Sequence, residues 1–520
     1  MPGLLDLRVG IDVGGTNTDA VILDRNDRLL GKTKTPTTAD VTGGISKAFE
    51  QIIAVSNQPR ERITHVMLGT THATNAILER RDLLKVAVIR IGAPATCSIP
   101  PLIEWPRDLR ECVSAGEIII EGGSELTGEP IVKFDTEAFK VFLESVQDVA
   151  QAVSVTSVFS PVCADHEFEA EAIVKEVLGQ IPITLSGTIG SLGLLERENA
   201  CVLNSALIGV ARHVVEGLVS AIQRNNLFAT AFLTQNDGTL MSLDSVLRFP
   251  VLTIGSGPAN SMRGAAYLTK LRNAVVIDIG GTSTDIGLLF NGFPRESTTP
   301  VNIGGVRTNF RMPDLVSIAV GGGTVVTQGS FGVEVGPTSV GYRIIEKSLV
   351  FGGDIPTLSD AAVLAERLQM GVKPVDLKYE DLLRQGLRKA EEMIWDACSE
   401  VQTSKEPVPY VVVGGGSVLL PETGLDDVVL YRPEHFDVAN AIGAAIASVS
   451  GQVDKVYKVG KLSRDEILED AKRGAIDEAI LAGSDPSLTE IIDIEEVPMA
   501  YLTEPVIRIR VKAAGPLSQL

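Results

Sequence analysis

Two stretches of this 520-residue chain carry residue types that could hold a phosphorylated ligand. Near the N-terminus runs Ile11-Asp12-Val13-Gly14-Gly15-Thr16-Asn17-Thr18-Asp19. Mid-chain runs Ile277-Asp278-Ile279-Gly280-Gly281-Thr282-Ser283-Thr284-Asp285. Paired glycines let backbone N–H groups approach an oxyanion with no Cβ in the way. Thr16, Thr18, Thr282 and Thr284 supply hydroxyl donors for phosphate oxygens. Asp12 and Asp278 would repel a bare phosphate. They make sense beside one only if a cation such as Mg2+, usually with its waters, lies between, or if they handle a proton. One such loop reads equally as a tight hairpin with a capping Asp. Its recurrence, with an apolar run on each side, points to two loops that face each other and clamp a polyphosphate.

A third cluster is Tyr410-Val411-Val412-Val413-Gly414-Gly415-Gly416-Ser417, a buried strand ending in glycines. A small-residue helix, Ala439-Asn440-Ala441-Ile442-Gly443-Ala444-Ala445, follows it. Side-chain-free backbone there could seat an adenine and ribose; close helix–strand packing explains it as well. Other signatures are missing. There is no GxxxxGK[ST], no GxGxxG after a strand, no GxSxG elbow and no HExxH, and histidines number only 5.

The elements that must position these loops follow from periodicity. The apolar runs flanking each loop read as strands and the polar middle as a turn, so each repeat is a strand–turn–strand device. Leu83 to Ile91, Val153 to Phe159 and Ala231 to Thr234 read as strands. Phe168 to Leu178 and Leu194 to Val210 read as helices. Strands alternating with helical patterns predict mainly parallel sheets with helices on their faces. In the tail, Ser463 and Glu466 form a capping box, Leu462 and Ile467 could staple the helix, and Gly483 closes it. A last strand is expected over Val506 to Val511.

Composition narrows the function. Lys plus Arg total 46 against 66 Asp plus Glu, a net charge of −20. A negative field argues against holding nucleic acid. No apolar run in the sequence approaches the ~20 residues that cross a bilayer, and the N-terminus shows no signal peptide. The 5 cysteines are scattered with no CxxC pair. A reducing, cytoplasmic setting is the expectation.

The two Asp–Gly–Gly–Thr loops and the Gly–Gly–Gly loop resemble the phosphate and adenosine motifs of the actin, sugar kinase and heat-shock ATPase superfamily. More narrowly, the chain resembles the hydantoinase A/5-oxoprolinase family. The segments that carry this are Leu68-Gly69-Thr70-Thr71-His72-Ala73-Thr74-Asn75, Leu195-Glu196-Arg197-Glu198-Asn199-Ala200, Gly255-Ser256-Gly257-Pro258-Ala259, Ser317 to Gly323 and Pro356 to Ala361. The chain departs from many relatives at Leu68, where they place His, and at Phe159-Ser160-Pro161, where they place His-Ser-Tyr.

The resemblance implies an α/β fold of two duplicated actin-like (ribonuclease H-like) ATPase halves with a nucleotide cleft between them. It divides the chain into an N-terminal domain over 1–190, a hydantoinase A domain over 191–450 and a tail over 451–520. It also implies ATP and Mg2+ as cofactors and ATP-dependent opening of a cyclic amide by phosphorylation of the amide oxygen. Asp12 and Asp278 then hold the metal through water. Gly14, Gly15, Thr16, Thr18, Gly280, Gly281, Thr282 and Thr284 match the phosphate loops. Gly414, Gly415, Gly416 and Asn440 match the nucleoside end. Thr70, Thr71 and Asn75 lie near the transferred phosphate or the substrate, or simply start a helix. Asp360 is a helix cap or a site carboxylate. Some relatives work with a second subunit, so the expected partners are a cyclic amide, a second hydantoinase-type subunit and a second copy in a homodimer. The competing readings are a small-molecule kinase of the same superfamily and a regulatory ATPase that acts on a protein partner.

Overall fold

A computed structural model describes residues 7–37, 41–190, 192–297, 299–402, 407–422, 429–458, 463–499 and 506–518. Both repeats fold as the same hairpin. Leu7–Val13 pairs antiparallel with Asn17–Leu23, and Ala274–Ile279 pairs antiparallel with Thr284–Phe290. The turns close alike. The Gly14 N–H donates to the Asn17 carbonyl at 3.0 Å, and the Gly280 N–H to the Ser283 carbonyl at 2.9 Å. The register sets Asp12 opposite Asp19 and Asp278 opposite Asp285.

The duplication extends to whole sheets. In the first, the strands lie in the order Leu29–Pro36, Asn17–Leu23, Leu7–Val13, Ile63–Thr70, Thr230–Thr234. In the second, the order is Phe293–Pro294, Thr284–Phe290, Ala274–Ile279, Tyr410–Val413, Leu430–Tyr431. Each row has two antiparallel pairings followed by two parallel ones. This is the predicted pair of related α/β halves.

The expectation of mainly parallel sheets is corrected. The first sheet has 9 strands and mixes both senses. A tight hairpin reverses the chain, so strands that it joins must run antiparallel. The tail adds both senses: Val449–Lys458 joins the first sheet parallel to Leu240–Ser242, and Val506–Gly515 and Glu490–Met499 follow as antiparallel neighbours. The wholly parallel layer is a 4-stranded sheet inserted after the first half begins, with Val86–Ala93, Ser114–Glu121, Ala152–Ser157 and Ile183–Leu185.

From that insertion the chain returns along the helix Leu194–Arg224, which runs on well past the predicted end at Val210. By length and composition this helix could cross a membrane, but most of its apolar stretch is buried inside the fold. The tail helix Arg464–Leu481 has its Ser463–Glu466 capping box, and Gly483 follows it with φ +109°. Leu462, the other half of the expected staple, lies outside the described residues.

Two short-range facts bring the halves together. The helices Ser256–Thr269 and Ala439–Ala445 touch backbone to backbone. A Cβ added at Gly264 would lie 1.9 Å from the Ala439 carbonyl oxygen, and one at Gly443 would lie 1.8 Å from that of Asn260. Only glycine permits that approach at both places. Separate apolar cores back each sheet: Val9, Ile11, Phe49 and Leu218 in the first half, and Val275, Ile277, Leu387 and Ile394 in the second.

Candidate active site

The hairpin tips face the same cleft, a cavity of about 370 Å3. Its walls include Asp12, Gly14, Gly15 and Thr16 from the first loop and Asp278, Gly280, Gly281 and Thr282 from the second. The loops touch: a Cβ added at Gly281 would lie 2.4 Å from Thr16 Oγ1. Gly414, Gly415 and Gly416 line the cleft as well. Gly414 packs on the second loop, since a Cβ there would meet Asp278 Oδ1 at 2.3 Å. The Gly416 N–H is spent on the Ile279 carbonyl at 2.7 Å. Gly415 faces open space. Beside them Ile344, Leu368, Met370 and Val418 make an apolar patch suited to a flat base.

The cleft is acidic. Asp12, Asp19, Asp278, Asp285 and Asp437 line it against one cationic side chain, Lys34, among the described residues. Asp12 receives amide N–H bonds from Asn260 at 3.2 Å and Asn440 at 3.0 Å. Asp19 receives Asn440 at 3.0 Å and Lys34 at 2.5 Å. Burial pushes the Asp12 carboxyl up to about 6, with the Asp19 charge adding to it and the two amides opposing it. Burial pushes Asp278 further, to about 7; the Ser261 hydroxyl opposes this, and Asp285 and Asp12 add to it. Asp285 bonds Ser317 and is raised by burial. A cation bound here would favour the ionised carboxylates that burial disfavours.

The residues fit magnesium. Among the described residues no group of three or more His, Cys, Asp or Glu side chains could hold a metal ion alone. Mg2+ is content with one or two carboxylates, its waters and substrate phosphates. Asp12 and Asp278 would supply those carboxylates.

Several expected site residues sit elsewhere. Thr18 is fully buried with its hydroxyl 3.3 Å from that of Thr37. Thr284 is fully buried and donates to the Val320 carbonyl at 2.6 Å. Neither lines the cleft. Alternate residues of a strand face opposite sides, and their neighbours Asp19 and Asp285 already face the cleft. Thr71 lines the cleft; Thr70 and Asn75 do not. Thr71 is the N-cap residue of the helix His72–Glu79 but makes no side-chain cap bond, its hydroxyl reaching the Val13 carbonyl at 3.3 Å instead. Thr70 bonds His72. Asn440, read from sequence as part of the nucleoside end, lines the cleft from its helix and donates to Asp12 and Asp19 of the first acidic hairpin. Asp360 is a cap: one oxygen accepts the Val350 N–H at 2.8 Å, the other the Thr357 N–H at 2.8 Å and its hydroxyl at 2.7 Å.

Sequence reasoning missed Lys34, Asn260 and Ser261. Lys34 was findable from register, since it stands directly across from Asp19. Asn260 and Ser261 belong to Gly255-Ser256-Gly257-Pro258-Ala259-Asn260-Ser261, a small-residue segment whose place depends on the helix contact described above.

Comparison with known proteins agrees with this geometry. The family described as hydantoinase/oxoprolinase N-terminal region matches residues 8–178, and the family described as hydantoinase/oxoprolinase matches residues 197–374. The acetophenone carboxylase gamma subunit of Aromatoleum aromaticum is 24% identical over 86% of this chain and 65% of its own length. The caprolactamase subunit alpha of Pseudomonas jessenii is 28% identical over 68% of this chain and 53% of its own length. The chain thus spans about half to two thirds of these relatives. The crystal structure of the ATP-dependent caprolactamase from Pseudomonas jessenii shares the fold, with a TM-score of 0.76 and 17% identity over 99% of this chain and 89% of that one. The duplicated acidic hairpins, their shared cleft and these matches together make the chain a member of the hydantoinase/oxoprolinase family.

Proposed function

We propose that this chain uses ATP to activate a cyclic amide, such as a hydantoin, 5-oxoproline or a related lactam, for ring opening. The observation that carries the proposal is the meeting of two acidic, glycine-rich hairpins on one cleft, with Thr16 against Gly281. An unstrained lactam is a poor electrophile. Phosphorylating its oxygen turns the ring carbon into a good one, and water then opens the ring.

The protein's part is positioning and charge stabilisation. Backbone N–H groups and the Thr16 and Thr282 hydroxyls receive the phosphates. Asn260 and Asn440 hold Asp12 in place, and Ser261 holds Asp278. Magnesium bound through water at Asp12 and Asp278 would neutralise the charge of the β- and γ-phosphates. The apolar patch at Ile344, Leu368 and Met370 takes the base, and Gly415 leaves room for the sugar. We place the enzyme in the cytoplasm and expect it to act with a second subunit, as the names of both relatives suggest.

The test is a panel of hydantoins, 5-oxoproline and lactams scored for substrate-dependent phosphate release with ring-opened product. A stable phosphorylated product would instead indicate a kinase, and turnover stimulated only by a protein would indicate a regulatory ATPase. The acetophenone carboxylase relative, which covers more of this chain than the caprolactamase subunit does, favours one further reading. The same cleft would then phosphorylate the oxygen of a ketone's enolate, and bicarbonate-dependent carboxylation would be the readout.

A further inference from the structure

A second cavity, also of about 370 Å3, shares no lining residue with the nucleotide cleft. One wall is the loop 187–190, which follows the strand Ile183–Leu185 at the carboxyl edge of the inserted parallel sheet. Carboxyl edges of parallel strands are where α/β folds gather ligands. The turn 235–237, residues 309–311 and the tail strands Val449–Lys458 and Val506–Gly515 complete the enclosure.

The chemistry of this cavity is divided. Leu240, Met241, Phe249 and Leu252 give it an apolar side. The tail gives it both signs of charge: Arg508 and Arg510, two apart and so on one face of their strand, and Glu478 from the helix Arg464–Leu481. Arg508 is committed to Asp454, with Nε 2.8 Å from Oδ1. Arg510 is 3% exposed. Its terminal nitrogens donate to Glu296 at 2.6 Å, Gln452 at 3.1 Å and Asp493 at 3.2 Å. Its Nε is buried with no hydrogen-bond partner. Folded proteins rarely leave a buried donor unmatched, so this guanidinium has unspent capacity, which a ligand carboxylate would use by drawing the side chain toward the cavity that it lines. Glu478 accepts the Gln452 N–H at 3.3 Å, and burial raises its carboxyl above the usual range. Lys455 already opposes that rise, and a ligand ammonium in the cavity would oppose it further.

We propose that this cavity binds a small zwitterionic amino acid, its carboxylate at Arg510, its ammonium at Glu478 and its methylenes along the apolar side. The size is right for such a molecule. The choice of class rests on the ring-opening reading above. Adding water across a lactam C–N bond leaves a carboxylate and an amine on one molecule, so the product is an amino acid of this kind. The cavity is then a product-sensing site separate from the cleft.

Calorimetric titration of the nucleotide-free full chain tests this with glutamate and 6-aminohexanoate as probes. Hexanoate and hexylamine serve as singly charged controls. At least one amino acid should bind saturably, and each control at least 10-fold more weakly. Glu478→Gln should weaken binding about 10-fold. Ser245→Trp, which fills the cavity from its rim, should abolish it while leaving affinity for a non-hydrolysable ATP analogue unchanged. That unchanged affinity also certifies the fold. No amino-acid binding, equal binding of hexanoate, or full binding by Ser245→Trp would each overturn the proposal. An amino acid that binds as described while no lactam stimulates phosphate release would sink the ring-opening reading and leave the site standing. Lactam-stimulated turnover without amino-acid binding would do the reverse.

Discussion

The two acidic hairpins have nearly the same sequence and different surroundings. In the first, Asp12 and Asp19 are held by two amides and a lysine: Asn260, Asn440 and Lys34. In the second, Asp278 and Asp285 have hydroxyls, Ser261 and Ser317. Two amide N–H groups oppose the burial of Asp12, which rises to about 6. A single hydroxyl opposes that of Asp278, where the Asp285 and Asp12 charges add to the rise and carry it to about 7. The duplication thus set two identical carboxylate pairs against each other, and the surroundings made them unequal. The first is a braced, ready anion. The second depends more on a cation to ionise.

The largest expected effect comes from removing either charge. Asp12→Asn and Asp278→Asn should each lower Mg·ATP turnover by roughly 10³-fold or more with the fold intact, read by phosphate release and circular dichroism. If one variant kept near wild-type turnover, the comparison would break, and that hairpin would be a structural relic.

Next comes pH. Folding raises Asp278 from 3.8 to about 7, so the protonated form is the one the fold favours. Metal-free stability is therefore fully present below 3.8 and is lost as pH rises through 7, on the order of 2–4 kcal/mol in all. Asp12 adds a smaller loss that accrues from 3.8 and is nearly complete at about 6. Urea unfolding in chelator across this window should show the fall. Asp278→Asn should flatten its upper part, and saturating Mg·ATP should reverse its sign. A slope unchanged in Asp278→Asn would mean that the second hairpin is no harder to ionise than the first.

The smallest effect sharpens the comparison at the equivalent glycines. A Cβ on Gly15 meets nothing within 4 Å, whereas one on Gly281 lies 2.4 Å from Thr16 Oγ1 and 2.9 Å from Thr16 Cβ. Gly15→Ala should change thermal stability within about 0.5 kcal/mol and Gly281→Ala should cost about 1–3 kcal/mol. Adding Thr16→Ala to Gly281→Ala should recover part of that loss, because the hydroxyl and methyl go while the Cβ at 2.9 Å stays. Equal melts for the two single variants would show that the loops do not touch.

Much of this was legible in the chain. The two hairpins follow from neighbouring residues, because a strand–turn–strand unit is specified within a dozen positions, and their recurrence points to a shared cleft. The misplacement of Thr18 and Thr284 was avoidable, since two-residue alternation turns each away from the side its aspartate faces. The mixed sheet was harder to foresee. The tail joins the first half's sheet where Val449 pairs with Leu240, a distant position in the chain, and nothing in its own sequence names that partner.

By itself, then, the sequence determined the chemical groups and the local turns that present them: two aspartates, two glycine pairs and the threonines beside them. Only the tertiary structure decided which groups brace which aspartate. Asn260 and Ser261 reach the cleft because Gly264 and Gly443 let two helices touch at the backbone, and Asn440 arrives on the other helix of that contact. Strand pairing brings Lys34 to Asp19. Such contacts join residues far apart in the chain, so their geometry exists only once the halves have packed.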